Sequence, residues 1–265
     1  MTILITGISS GFGKAMAGLL SAEGHTVYGT VRRPVDAPLP NVRYLIADLR
    51  DNASVEAAAA AVLAEQGAVD VLINNAGMGI GGPAEFNSWE DIETQMDTNF
   101  MGQVRFTRAL LPSMRARKRG KILFFSSIGG RMGLPFQGYY SASKFALEGF
   151  CESLRLELRN SGIDIVVIEP GDFSTNFTAS RLKAVSEEAK RAYPALSRAV
   201  ASFENDERNG LSPEYLAKKV SAIVKRRRPR YNYVISTMEQ RLSILLKAVL
   251  PKRWFASILA SYYKL

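Results

Sequence analysis

The sequence contains very little cysteine and histidine: among its 265 residues there is one of each, Cys151 and His25. A single cysteine cannot form an internal disulfide, which is typical of a reducing compartment and predicts a cytoplasmic protein. One cysteine and one histidine so far apart exclude a conventional Cys/His zinc site, and we expect no metal. They also argue against a Ser-His-Asp hydrolase, because His25 precedes a predicted strand and would sit at the wrong end of it to act as the base.

Long hydrophobic runs are also missing. No stretch approaches the ~20 apolar residues that span a bilayer, and no signal-peptide pattern precedes the apolar run that begins at Thr2. Hydrophobic residues make up 47% of the chain and charged residues 22%, as in ordinary globular proteins. Length and composition therefore suit one sizeable domain, with no repeat or linker to divide it.

Apolar runs typical of strands alternate with helical patterns, which predicts an α/β fold with a doubly wound parallel sheet flanked by helices. The predicted strands are 2–6, 26–31, 42–46, 70–74, 121–125 and 163–168, with a last one at 231–235. The predicted helices are 12–23, 52–66, 88–117 and 139–160. Residues 174–210 are polar and partly helical without strand signals, and we interpret them as a flexible substrate-binding insertion. We divide the chain into a main domain, 1–236, and a C-terminal amphipathic helical extension, 237–265.

A glycine-rich turn from Gly7 to Gly13 follows the first predicted strand and opens the first helix. Strand, glycine-rich turn and helix in this order are typical of a nucleotide-binding site. Gly7 allows the tight turn, Gly11 lets a pyrophosphate approach the backbone, and Gly13 permits close packing of helix on strand. The helix N-terminus would then offer free N–H groups to phosphates. The alternative to a nucleotide-binding site is an ordinary turn between a strand and a helix. A Walker loop is excluded, because no Gly-Lys-Ser/Thr follows the turn.

Tyr140 and Lys144 lie four residues apart in the fourth predicted helix, and therefore on one face of it. An ammonium beside a phenol favours the phenolate, so we expect Lys144 to lower the pKa of Tyr140 from its ordinary value of about 10. A tyrosine tuned in this way can exchange a proton with a carbonyl or alcohol oxygen near neutral pH. The pair alone is weak evidence for a catalytic site, because Tyr and Lys also meet by chance on amphipathic helices. The glycine-rich turn that precedes it in the sequence strengthens this interpretation.

Together these motifs resemble the short-chain dehydrogenase/reductase family over nearly the whole chain. The hallmarks that stand in the family's order and spacing are Thr6–Gly13, Asp48, Asn74–Gly77, Asn99, Ser126–Ser127, Tyr140–Lys144, Pro170–Gly171 and Thr175. The resemblance implies a Rossmann-type single domain, a carbonyl–alcohol oxidoreductase, and a homo-oligomer, dimer or tetramer. Residues 133–149 are most similar to hydroxysteroid and retinol dehydrogenases, which implies an apolar, steroid-, retinoid- or lipid-like substrate.

By this resemblance four residues are catalytic. Tyr140 is the general acid/base, while Lys144 lowers its pKa and holds the nicotinamide ribose. Ser127, thirteen residues before Tyr140, hydrogen-bonds the substrate oxygen, and Asn99 anchors a water that relays protons from Lys144. Glu169 stands where many relatives carry Asn before Pro-Gly, a departure that has no functional explanation in the sequence.

The resemblance also implies a nicotinamide cofactor, and charge predicts which one. NAD-binding members end the second strand with an acidic residue, whereas this chain has Arg32 and Arg33 there and no carboxylate before Asp36. Two arginines offer charge-assisted contacts to a 2′-phosphate, which predicts NADP(H) rather than NAD(H), unless they are simply solvated. The expected cofactor-binding residues are Gly7, Ser9, Ser10, Gly11, Phe12, Gly13, Arg32, Arg33, Asp48, Leu49, Asn75, Ala76, Gly77, Tyr140, Lys144, Pro170, Gly171 and Thr175.

The positive charge of the chain is concentrated near its C-terminus. Residues 218–265 hold twelve Lys and Arg against one acid, so the formal total of +9 leaves −2 for residues 1–217. A basic run at 225–230 precedes two apolar stripes of helical spacing within 238–262. These stripes could pack on their own domain or on another subunit, or residues 218–265 could make a peripheral membrane contact. Nucleic acid is not expected, because the basic run lacks a recognised reading module.

Three functions are compatible with these features. The leading one is NADPH-dependent reduction of an apolar ketone or aldehyde, or the reverse oxidation. A non-catalytic NADP-sensing protein on the same fold is the alternative. Such a protein would be expected to lack one of the four catalytic residues, and this chain has all four. An epimerase or dehydratase would usually carry Gly-x-x-Gly-x-x-Gly, which is missing. Residues expected to shape the substrate pocket lie in 78–85, 132–137 and 174–210. With the third segment we group the apolar residues Phe173, Phe177, Leu182, Tyr193, Leu196 and Phe203.

Overall fold

Seven parallel strands form the central sheet of the computed structural model, which describes residues 1–265. The strands of the chain are β1 (Thr2–Ile5), β2 (Thr26–Val31), β3 (Val42–Ile46), β4 (Val71–Asn74), β5 (Ile80–Gly81), β6 (Gly120–Phe125), β7 (Ile163–Pro170), β8 (Leu182–Lys183) and β9 (Asn232–Ile235). The sheet order is β3-β2-β1-β4-β6-β7-β9, while β5 and β8 form a separate parallel pair. The direction of winding reverses between β1 and β4, where open α/β sheets bind ligands. The predicted α/β doubly wound sheet is confirmed.

Helices cover both faces of this sheet. They are α1 (Gly11–Ala22), α2 (Asn52–Gln66), α3 (Trp89–Met96), α4 (Gly102–Ala116), α5 (Gly138–Glu157), α6 (Phe177–Ser180), α7 (Glu187–Ala192), α8 (Leu196–Arg208), α9 (Pro213–Lys225), α10 (Met238–Val249) and α11 (Lys252–Tyr262). Strand side chains alternate between the faces, so Leu4 packs with α2, α4 and α5, while Ile3 and Ile5 pack with α1 and α9. The predicted helices appear with ends shifted by at most three residues, except that the one predicted across 88–117 is divided into α3 and α4 by a π-helical turn at 97–101.

Helix α9 was not predicted, although its N-terminus carries two recognised signals. Ser212 caps it by accepting a hydrogen bond from Tyr215 N, and Pro213 occupies the first turn. Its buried face, which includes Leu216 and Val220, packs against the central sheet. The segment 218–225, which we grouped with the basic C-terminal region, therefore belongs to the folded core.

The remaining basic and amphipathic segments lie at opposite ends of the sheet. Residues 226–230 precede β9 and lie at the amino edge of the strands, whereas α10 and α11 follow β9 at the carboxyl edge. Residues 218–265 therefore do not form one continuous surface, because a strand separates their two halves. In α10 the apolar stripe stays exposed, whereas in α11 Phe255 is buried, and so is Tyr263 just beyond its end. No helix in the structure combines the length and apolar content needed to cross a bilayer.

Candidate active site

The carboxyl ends of the strands open into a cleft of about 730 Å³. Of the predicted site residues, the cleft is lined by Gly7, Ser9, Ser10, Gly11, Phe12, Arg32, Asp48, Leu49, Asn75, Ala76, Gly77, Ser127, Tyr140, Lys144, Pro170, Gly171 and Thr175. Gly13, Arg33 and Asn99 do not line it. Gly13 and Asn99 are buried behind the wall, and Arg33 is exposed beyond the end of β2. The structure therefore brings most of the predicted residues to one cavity.

The glycine-rich turn is held by hydrogen bonds to β4, which sequence reasoning did not foresee. Thr6 Oγ1, fully buried, accepts hydrogen bonds from Asn75 N and Ala76 N, each at 3.0 Å. In return Asn75 Nδ2 donates to the carbonyl oxygens of Thr6 and Gly7 at 2.9 and 3.1 Å. Gly7 has φ +71°, a left-handed conformation that costs glycine little. The turn is thus fixed before any ligand arrives.

The N-terminus of α1 is suited to a phosphate. Ser10 is its N-cap, yet its side chain makes no capping hydrogen bond, and the first turn contains no acidic residue. The first N–H groups of the helix and its positive dipole end are therefore available to an anion. A Cβ built on Gly11 would lie 3.7 Å from Thr175 Cβ, across the cradle that a side chain would occupy. These features fit the pyrophosphate of a dinucleotide.

An ion pair shapes the adjacent part of the cleft. Arg50 Nη2 lies 2.8 Å from Asp48 Oδ2, and Arg50 Nε donates to Asp48 Oδ1 at 3.1 Å. These hydrogen bonds hold the pKa of Asp48 down at about 2, and the charge of Arg32 acts in the same direction. Asp48 is consequently neutralised by Arg50, a cleft residue that the sequence analysis missed, and Arg32 remains on the exposed rim.

Tyr140 lines the cleft on α5, and its phenol is a weaker acid than expected. Burial raises its pKa to about 12, although a hydrogen bond with Ser127 and the charge of Arg181 act to lower it. The prediction of a lowered pKa is therefore wrong for this structure. Lys144 does not supply the expected effect, since its Nζ lies 5.8 Å from the Tyr140 ring centroid and donates to Phe125 O at 2.7 Å. At neutral pH Tyr140 is a protonated donor.

Lys144 is itself perturbed by burial, which lowers its pKa to about 8, while the charge of Glu148 opposes that shift. Tyr140, Lys144 and Glu148 repeat every four residues and share one face of α5. At pH 7 Lys144 is still mostly an ammonium, so the base of the cleft carries positive charge.

Asn99 lies in a π-helical turn, 97–101, between α3 and α4, a distortion that is frequent at functional sites. Its Oδ1 accepts from Met78 N at 2.8 Å, and its Nδ2 donates to Met78 O and Ser143 Oγ at 2.9 and 3.1 Å. The side chain thus fixes the loop after β4 to α5 beneath the cleft. The expected water relay through Asn99 stays a prediction.

Glu169 acquires a structural explanation. It is fully buried and accepts a hydrogen bond from Asn232 Nδ2, which ties β7 to β9, while Arg131 Nε lies 3.7 Å from its second oxygen. Glu148 is its buried neighbour, and burial together with the charge of Glu169 raises the pKa of Glu148 to about 7. Two acidic side chains therefore lie behind Lys144.

The far end of the cleft is formed by the insertion and the extension. Arg181 is buried, with its guanidinium 5.2 and 4.7 Å from the ring centroids of Phe177 and Phe203, and it is ion-paired with Glu207. Sequence analysis missed this pair because an Arg and a Glu 26 residues apart in a polar segment give no local signal. Tyr263, just after α11, also lines this end, so the C-terminal extension contributes to the site.

The apolar residues proposed for the substrate pocket divide into two groups. Phe173, Phe177, Leu182 and Phe203 line the cleft. Leu196 is instead fully buried in the core, and Tyr193 packs against Phe86 and Phe136 with its hydroxyl donating to Glu85. Those two assignments are wrong, because apolar composition alone does not distinguish core from pocket.

Comparison with known proteins gives one consistent result. The family model described as short chain dehydrogenase matches residues 1–186. A 3-ketodihydrosphingosine reductase of Bacteroides thetaiotaomicron is 44% identical over 262 residues, 98% of this chain and 97% of the relative. The 17-beta-hydroxysteroid dehydrogenase type 1 of Homo sapiens is 40% identical over 190 residues, which is 66% of this chain and 57% of that protein.

Solved structures agree with these sequence matches. A serine dehydrogenase in its closed form, complexed with NADP+, superposes with a TM-score of 0.78 at 29% identity, covering 90% of this chain and 96% of that one. The residues matched by the family model include the glycine-rich turn and the Tyr140/Lys144 pair.

Proposed function

We propose that this chain, which belongs to the short-chain dehydrogenase/reductase family, is an NADPH-dependent reductase of long-chain lipid ketones. The family itself makes it an oxidoreductase that uses a nicotinamide cofactor and a small-molecule substrate. The observation that carries the proposal is the lining of one cleft by the glycine-rich turn, by Ser127, Tyr140 and Lys144, and by the apolar rings of the insertion. A ketone placed against Tyr140 would then contact both the cofactor end and the apolar end.

The proposed chemistry divides between cofactor and protein. Bound NADPH would supply the hydride to the carbonyl carbon. Tyr140, protonated at neutral pH, donates its proton to the carbonyl oxygen, and the Ser127 hydroxyl hydrogen-bonds that oxygen and polarises it. The ammonium of Lys144, which donates to Phe125 O, would hold the nicotinamide ribose rather than lower the pKa of Tyr140. Its proton would then replace the one that Tyr140 has given up.

The preference for NADPH rests on charge. Arg32 lies at the end of β2 on the cleft rim, where a carboxylate would favour NADH. Asp48 could take that role from β3, but Arg50 already neutralises it. The dinucleotide phosphates would lie at the N-terminus of α1, and Thr175 would approach them from the opposite wall. One structural neighbour is complexed with NADP+ and another with NAD, so the assignment rests on these charges.

The substrate class follows from the share of the chain that each relative covers. The reductase from Bacteroides thetaiotaomicron matches 98% of this chain, including the insertion and the extension, whereas the human steroid enzyme matches 66%. Those C-terminal segments form the apolar end of the cleft. Coverage therefore favours a long-chain keto sphingoid base over a steroid. A retinol dehydrogenase 8 of Bos taurus also covers 94% of this chain, but at 35% identity against 44% for the reductase, so we favour the sphingoid base over a retinoid as well.

A lipid substrate also explains the exposed apolar stripe on α10 and α11. The residues of this stripe are Met238, Leu242, Leu245, Val249, Trp254, Ile258 and Tyr262. Five cations and one acid lie in the same segment, residues 238–265, so we propose a peripheral contact with an anionic membrane by a cytoplasmic protein. Tyr263, beside the stripe, lines the cleft, which would bring the membrane close to the substrate entrance. A homo-oligomer stays a prediction.

The test is oxidation of NADPH, followed by its absorbance, with a panel of ketones and aldehydes. The panel contains 3-ketodihydrosphingosine, a ketosteroid, a retinal and a short-chain ketone. We expect kcat/KM to be highest for the long-chain keto base. Turnover of the short ketone or the steroid alone would contradict the lipid assignment, while tight NADPH binding with no turnover at all would favour the non-catalytic alternative.

A further inference from the structure

Three carboxylates line the cleft, and one of them lacks a cationic partner. Asp48 is paired with Arg50, and Glu207 with Arg181. The third, Asp172, has only a neutral side-chain partner, since its Oδ2 accepts a hydrogen bond from Gln240 Nε2 at 2.5 Å. Burying an ionised carboxylate without a cation is costly. A proton or a cationic ligand would remove this cost, and only the ligand would leave Asp172 ionised.

The position of Asp172 brings this charge close to the reacting atoms. It follows Gly171 at the carboxyl end of β7, and the field of its carboxylate acts on the phenol of Tyr140. It also belongs to the half of the cleft formed by the insertion and the extension, since Gln240 of α10 holds it and Arg181 and Glu207 are its charged neighbours. Among the side chains that line this half of the cleft, Arg181 and Glu207 cancel, so an ionised Asp172 leaves one net negative charge.

We propose that Asp172 binds an ammonium group of the substrate and so selects ketones that carry a primary amine on the carbon beside the carbonyl. This inference rests on the proposed function, and it deepens it by naming the headgroup chemistry. An ammonium one carbon from the carbonyl would reach the Asp172 carboxylate while the carbonyl oxygen meets Tyr140 and Ser127. The alkyl chain would then extend along the apolar rings of Phe177 and Phe203. A steroid or a retinal offers no such cation.

The residues around Asp172 are arranged for a cation rather than for a second anion. Burial raises the pKa of Asp172 to about 7, and repulsion by Glu207 and Asp206 adds to this shift, while the charge of Arg181 opposes it. A bound ammonium would relieve both effects at once. Gln240 can neither protonate nor neutralise the group, so it orients one oxygen and leaves the other to the ligand.

The experiment compares Asp172→Asn with the wild type on substrates matched in chain length. These are 3-ketodihydrosphingosine, its N-acetyl derivative and an unsubstituted long-chain ketone. We expect kcat/KM for the amino ketone to fall roughly 10- to 100-fold in the variant, the range for a charge-assisted hydrogen bond. For the two neutral ketones it should change less than about threefold. Asn keeps an acceptor for Gln240, and NADPH binding by fluorescence checks that the variant is folded.

Asp206→Asn is the control, because Asp206 lies nearby on α8 but does not line the cleft. It should keep the preference for the amino ketone. Equal turnover of amino and neutral ketones by the wild type, or an equal loss in both variants, would overturn the role of Asp172 and leave the reductase function intact. If no ketone is reduced, the proposed function fails, and calorimetric titration with dihydrosphingosine then decides the role of Asp172. Weaker binding in Asp172→Asn supports it, and unchanged binding overturns it.

Discussion

The cleft combines ionisable groups whose pKa values are moved by burial in opposite directions. Burial raises the pKa of Tyr140 to about 12 and lowers that of Lys144 to about 8. Near neutral pH the phenol therefore holds its proton, and most of the amine keeps its charge. A protonated phenol is the state required to reduce a ketone, whereas oxidation of an alcohol needs the phenolate. Sequence spacing predicted that these side chains would line one cleft, but not the effect of burial on them.

In the proposed function, Arg32 is the residue that selects NADPH over NADH. Replacing it with Ala removes the positive charge at the end of β2, so we expect the Kd for NADPH to rise about 10-fold or more and that for NADH by less than about threefold. Fluorescence titration with both cofactors measures this difference. Arg33→Ala is the matched control, since Arg33 does not line the cleft. Equal weakening of both cofactors by Arg32→Ala would remove the phosphate assignment.

Glu148 makes the stability of the fold depend on pH. Its folded pKa of about 7 lies above its ordinary value of 4.5, so its contribution to stability is complete below about pH 4.5 and is lost as the pH rises through 7. Glu148→Gln keeps the shape without the charge. We expect it to raise the free energy of unfolding by about 1–3 kcal/mol at pH 8 and to change it little at pH 5.

Urea unfolding at the two pH values measures this effect. Glu157→Gln is the control, because Glu157 is exposed on the same helix and should show no such difference. A Glu148→Gln variant that is equally stabilised at both pH values would contradict the role of burial.

At the scale of elements, α1 joins the sheet through a contact that only glycine allows. A Cβ on Gly13 would lie 2.0 Å from Gly7 O, whereas a Cβ on Gly18, later in the same helix, would lie 3.8 Å from the Leu39 side chain. Gly13→Ala is therefore expected to destabilise the protein by about 1–3 kcal/mol or more and to weaken NADPH binding. Gly18→Ala should be neutral or stabilising by up to about 1 kcal/mol. Thermal unfolding of the pair measures the difference, and equal effects would contradict it.

The elements also show what the sequence could and could not predict. The seven strands of the sheet were predicted because buried parallel strands are short apolar runs bounded by turn residues. Helix α9 could have been found from Ser212 and Pro213. The π-helical turn at Asn99 and the pair of Arg181 with Glu207 could not, because both depend on contacts between distant segments. Asp172 was missed for the same reason, since its importance arises from the neighbours that the fold brings to it.

At the scale of the whole molecule, the extended positive charge seen in the sequence separates into two regions. Residues 226–230 lie at one end of the sheet, and the apolar stripe of α10 and α11 lies at the other, beside the cleft. We expect Leu242→Glu with Trp254→Glu to abolish binding to vesicles of phosphatidylserine and phosphatidylcholine. Arg227→Glu with Arg228→Glu, at the far end, should reduce it less than about twofold. Sedimentation with liposomes measures both.

The same variants distinguish a membrane surface from a subunit interface. Analytical ultracentrifugation of the Leu242→Glu, Trp254→Glu protein should show an unchanged oligomeric state if the stripe contacts lipid. A change from oligomer to monomer, with vesicle binding unaffected, would assign the stripe to an interface between copies of the chain.

The central claim is that Tyr140 is the proton donor of a reductase, and one comparison tests it most directly. Tyr140→Phe and the wild type are mixed with NADPH and 3-ketodihydrosphingosine, and a single turnover is followed at the NADPH absorbance band. We predict a loss of at least about 10²-fold in rate, with NADPH affinity within a few-fold of the wild type. Full activity in the variant, or a wild type that binds NADPH and reduces nothing, would contradict the claim.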